Sequence, residues 1–166
     1  MRNLALLLVA SAPILAGCAQ DDPENIPLRG QWDAVTKLDS VTLNGMPFTV
    51  DMLDPEFAAM EQQESQCGEP VFTNRMREEL ELDWRAKNSC DIETFDVDGA
   101  RVSATGQCRG VAGMDEFNPK FEVDIVQREQ SYRMVVNMHG TMAIPGEGQH
   151  HARFIAVQEG IRTGDC

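Results

Sequence analysis

Three kinds of residue in this chain could do chemistry: histidines beside a methionine, carboxylates, and cysteines. His139 and His150 flank a glycine-rich stretch that contains Met142 and Glu147. Two imidazoles and a thioether suit a soft metal such as Cu(I). The spacing matches no diagnostic ligand set, and two solvated histidines near a loop methionine are the ordinary reading. No metal is therefore assigned, and His139, Met142 and His150 stand as an alternative. Asp96-Val97-Asp98-Gly99 begins like a calcium loop, but it lacks the third early ligand, and Gln107 stands where the closing glutamate belongs, so it reads as a turn. A nucleophile elbow, a P-loop, H-E-x-x-H and a dinucleotide fingerprint are absent. No cofactor is expected and the chain does not read as an enzyme; a hydrolytic site assembled by folding from scattered carboxylates is the second alternative. Of the five cysteines, Cys67, Cys90, Cys108 and Cys166 form no C-x-x-C pair, which argues against a redox motif or a zinc knuckle. In an oxidising compartment an even number of cysteines reads as two disulfides.

The elements that must position these residues are mostly strands. Trp32, Ala34, Thr36 and Leu38 alternate with Asp33, Val35 and Lys37, the period of a half-buried strand. Asn44-Gly45 follows as a hairpin turn that sets Val41 opposite Phe48, and Pro47 makes the returning strand short and places it at an edge. Asp54-Pro55-Glu56 starts a helix expected to run from Pro55 to about Glu64. Met76, Leu80 and Trp84 recur every fourth residue and predict a second helix over about 74–85. With Asp98-Gly99 as a two-residue turn, Phe95 faces Val102 and Val97 faces Ala100. Glu129-Gln130 turns the next pair, which sets Phe121 opposite Met138, Val123 opposite Val136 and Ile125 opposite Met134. A loop over 140–149 then leads to a last strand near 150–158, and pairing across it would set His139 opposite His150. The expected fold is mainly β: an antiparallel meander of about seven strands forming a curved sheet or incomplete barrel with a short helical insert, a two-sheet sandwich being the competitor.

The Asp98-Gly99 register places Cys90 opposite Gln107, on the face away from Cys108, so a Cys90–Cys108 bridge is not expected without a bulge. Cys67–Cys90 with Cys108–Cys166 is preferred, and Cys67–Cys108 with Cys90–Cys166 remains open.

The first residues resemble a bacterial lipoprotein signal peptide. An apolar run from Leu4 to Ile14 behind Arg2 closes on Leu15-Ala16-Gly17-Cys18. It is too short to span a bilayer. The resemblance implies cleavage after Gly17, acylation of Cys18, and a membrane attachment that two or more chains hold firmly. Ala19 is compatible with transfer to the outer membrane. Residues 18–29, with Pro23 and Pro27, suit a flexible spacer, and a single β-rich domain is expected over 30–166. Within it, Gly30 and Trp32, Cys67 before a helical insert, Cys90 and Cys108, a methionine-bearing C-terminal hairpin and a terminal Gly164-Asp165-Cys166 resemble the bacterial domain-of-unknown-function 3617 family. The likeness departs after Cys67, where Gly68-Glu69 replaces a usual leucine and threonine. That family implies no activity.

The formal net charge is −13, and losing Arg2 with the signal segment makes it −14. Such a surplus, dispersed along the chain, excludes nucleic-acid binding. The sequence therefore points to a lipid-anchored protein of the outer membrane that faces the periplasm and binds an envelope protein or an apolar ligand. Periplasmic copper binding is the alternative.

Overall fold

The computed structural model describes residues 23–48, 62–87, 89–109, 117–144 and 148–166. Cys18, Ala19, Glu147 and most of the helix expected from Pro55 lie outside the described residues. Among the described residues nine elements follow in order: β1 (Gly30–Leu43), β2 (Met46–Phe48), β3 (Gln62–Gly68), α1 (Asn74–Lys87), β4 (Cys90–Asp98), β5 (Arg101–Cys108), β6 (Lys120–Arg128), β7 (Ser131–Ile144) and β8 (Gly148–Gly164). All eight strands belong to one unclosed antiparallel sheet in the order β2-β1-β8-β7-β6-β5-β4, with β3 paired beside β2 on the same edge of β1. The mainly β, antiparallel expectation holds, and the sheet does not divide into a sandwich.

Local chemistry explains several joints. Asn44 and Gly45 both have positive φ, the pattern of a type I′ turn, and Val41 does face Phe48 in a three-residue edge strand. The β6–β7 register is the one expected, with Phe121, Val123 and Ile125 against Met138, Val136 and Met134. Thr73 caps α1: its Oγ1 accepts from the Arg75 amide at 3.3 Å.

One face of the sheet holds the core. Trp32, Ala34, Val102, Ile125 and Tyr132 are buried there with Phe72 over them. Leu38, Val41, Ala152 and Phe154 pack under Phe117. Leu38 and Val41 are three apart, yet both point inward, because a bulge between Leu38 and Ser40 inserts the extra residue. Met76, Leu80 and Trp84 of α1 lie against β4, β5 and β6, and the Trp84 ring meets Phe121 edge-on at 5.6 Å.

Four expectations are corrected. Gln62–Glu64, expected to end a helix, begin β3, a strand of polar residues exposed on both faces; without a buried face it carries no alternation to read. The β4–β5 turn is Gly99–Ala100, so Val97 faces Val102 and Phe95 faces Ala104. Both registers send the same residues inward, so apolar alternation could not separate them. A bulge between Ile92 and Thr94 then places Cys90 opposite Cys108. Finally, β7 and β8 run on past the expected 140–149 loop and pair as far as Ile144 and Gly148. Gly140 is a strand residue whose Cβ would stand 3.0 Å from the Pro119 Cα, a close approach rather than a loop.

Candidate functional site

The cysteines form two disulfides, Cys67–Cys166 and Cys90–Cys108. Two bonds were expected; neither pairing considered was the observed one. Cys90–Cys108, rejected on register, closes because the bulge near Glu93 turns Cys90 to the face of Cys108. Cys67–Cys166 ties β3 to the end of β8 across the start of β1, where Gly30 faces Gly68 and Gln31 faces Gly164. Arg162 locks the same corner: its Nε donates to the Arg29 carbonyl at 2.9 Å and its Nη2 pairs with Asp165. The Gly30, Cys67 and Gly164-Asp165-Cys166 signals, far apart in sequence, are thus one structural corner.

The histidine–methionine set is divided by the pleat. His139 faces Arg153, and Met142 faces His150, so the His139–His150 opposition is not formed. Met142 packs in the core cluster around Phe117. The His150 Nδ1 lies 2.9 Å from the Asn44 amide nitrogen. His139 instead neighbours His151, ring centres 6.5 Å apart, a residue that sequence reasoning passed over. Among the described residues no group of three histidines, cysteines or carboxylates could hold a metal ion.

Under the helix the described core face offers little room. Between α1 and the sheet there is a space of about 30 Å³, bounded by Met76, Leu80, Trp84, Phe95 and Ile125, the scale of a single water. Tyr132 lies deep in this layer, T-shaped to Phe72 at 4.8 Å. Its hydroxyl donates to Gln158 Oε1 at 3.2 Å, and Gln158 Nε2 donates to Thr36 Oγ1 at 3.0 Å, a polar thread across β7, β8 and β1. Burial first, and the Glu64 carboxylate second, raise the Tyr132 phenol above its ordinary value. The phenol stays neutral at ordinary pH and acts as a donor. Gly160 faces it, and any side chain there would overlap the Tyr132 ring.

The opposite face of the sheet is uncovered by any described element. Val135 and Val157 face each other across β7 and β8, with Ile155 two residues on and Val35 on β1, all half-buried. Polar rows frame them. Asn137 Nδ2 donates to Glu122 at 3.0 Å, Arg153 Nε donates to Asn137 Oδ1 at 2.9 Å, and Arg133 pairs with Glu159 at 3.4 Å. Towards the β6–β7 turn this face opens into a depression of about 420 Å³ lined by Val126, Arg128, Arg133, Glu159 and Ile161. Adjacent apolar residues at Ile125-Val126, breaking the alternation of β6, were the available signal for it.

The family model described as a protein of unknown function (DUF3617) matches residues 27–166. No curated protein and no solved structure matches the chain.

Proposed function

The chain belongs to the DUF3617 family of proteins of unknown function, a membership that assigns no activity; we propose a lipoprotein acylated at Cys18 that faces the periplasm from the outer membrane and binds an envelope protein through the sheet face that no described element covers. One observation carries the choice of a protein over an apolar ligand: the space between α1 and the sheet is about 30 Å³, where ligand pockets run to hundreds of Å³. The uncovered face suits a protein contact better, with a branched apolar centre inside a polar, charged rim. Two disulfides support export to an oxidising compartment, as do the apolar run and Leu15-Ala16-Gly17-Cys18.

The test is fractionation and cross-linking of wild type and Cys18→Ser in the producing cell. Wild type should sediment with membranes through a high-salt wash and cross-link to a defined envelope protein, while Cys18→Ser should be released, folded, and lose the adduct. A salt-resistant membrane association in Cys18→Ser would refute the anchor. An apolar compound co-extracted in stoichiometric amount would refute the choice of partner.

A further inference from the structure

We infer that the end of the sheet carrying the Gly99–Ala100 and Glu129–Gln130 turns rests on the bilayer surface, with the Asn44–Gly45 end and the histidines pointing away from it; this orientation rests on acylation of Cys18.

The chain enters the domain at that end. Asn25 Nδ2 donates to the Pro70 carbonyl at 2.8 Å and its Oδ1 accepts from the Phe72 amide at 3.1 Å. The Leu28 amide then donates to the Glu129 carbonyl at 2.9 Å, and its own carbonyl accepts from the Trp32 indole at 3.0 Å. The last stretch of the expected spacer is therefore part of the fold. Seven residue steps separate Cys18 from Asn25, a reach of at most about 25 Å. β8 alone has 17 residues, about 55 Å of strand. The tether can hold the near end at the lipid and is too short to bring the far end there while the domain stands upright.

Surface chemistry selects the near end over a flat posture. Among the described residues five large apolar side chains are exposed, and three of them, Leu28, Val126 and Ile161, stand at this end. Val126 faces Arg101 on one side and Arg133 on the other, and Ile161 stands beside the turn between Ser131 and Asp33. Apolar tips at the turn end, one of them set between two arginines, match the interfacial layer of a bilayer, where the tips enter the acyl boundary and the guanidinium groups stay among phosphates. The occupant of the depression by Val126 and Ile161 is thus the lipid surface itself. The protein-binding centre at Val135 and Val157 stands farther out, so its partner must reach the bilayer's immediate vicinity.

The acylated full chain, reconstituted into vesicles of phosphatidylethanolamine and phosphatidylglycerol, carries a fluorophore on Val126→Cys, Ile161→Cys or Met46→Cys, and lipids brominated near the headgroup act as quenchers. Flotation is measured first. The orientation predicts quenching several-fold stronger at positions 126 and 161 than at 46. Flotation with equal quenching at all three, the flat posture, or with stronger quenching at 46 would overturn the orientation and leave the anchor standing. Failure of the acylated chain to float would overturn both.

Discussion

Replacing Cys67 and Cys166 together by serine should cost more stability than replacing Cys90 and Cys108 together. The first bond joins residues 99 apart in sequence and the second residues 18 apart. If a disulfide acts by restricting the unfolded chain, the long loop stabilises by about 4.7 kcal/mol and the short one by about 3.2 kcal/mol at 25 °C. A domain of this size is stable by about 5–15 kcal/mol, so the first loss is a large fraction of the whole. The native side adds to it: β3 buries no side chain, and apart from backbone pairing to β1 and surface contacts such as Gln31–Ser65 it is fastened by Cys67. Urea denaturation of both double variants measures the two costs, and amide exchange reports β3 separately. Double serine variants leave no unpaired thiol to reshuffle. Exchange should accelerate first over Gln62–Gly68 in the variant lacking Cys67 and Cys166. A smaller loss in that variant than in the other, with β3 still protected, would show that neither loop length nor the fastening of β3 sets the two costs.

Gly160→Ala should destabilise by about 1–3 kcal/mol, since its Cβ would overlap the Tyr132 ring and a packed core resists added volume; combined with Tyr132→Ala, the loss should fall short of the sum of the two single variants. Tyr132 is the one tyrosine in the chain, so phenolate absorbance reads it alone. With its native value raised, the unfolded phenol ionises first, and stability is full below about pH 10 and falls as pH climbs towards the native value. The titration midpoint should be higher in the folded protein than in denaturant, Tyr132→Phe should remove the alkaline loss, and a folded midpoint at or below the denatured one would contradict the burial of Tyr132. Thr73→Ala should cost about 1 kcal/mol through the lost cap of α1, measured by thermal denaturation.

What the sequence disclosed follows where side chains meet a core. The β6–β7 register was legible because Phe121, Val123 and Ile125 all require apolar partners, and a slip of one residue would expose every one of them. α1 was legible from Met76, Leu80 and Trp84. β3 was not, because backbone pairing fixes a strand whose side chains all lie in solvent. The disulfide pairing failed on a single bulge at Glu93, which leaves no mark in an alternation pattern that resumes on both sides of it. The histidine pairing failed because Gly140 signals a loop by composition, whereas here it lets Pro119 pack closely against β7. The face that no described element covers was hardest to see: Val126, Val135, Val157 and Ile161 look like core residues until the register shows them turned away from the core.

Contact with a protein through the sheet face that no described element covers, and not with a ligand within, is read out by a photoreactive amino acid placed in living cells at Val135 or Val157, with Leu82 on the exposed side of α1 as the control position. One discrete envelope-protein adduct is expected from both sheet positions and none from Leu82. No adduct from either sheet position, or the same adduct from Leu82, would contradict it.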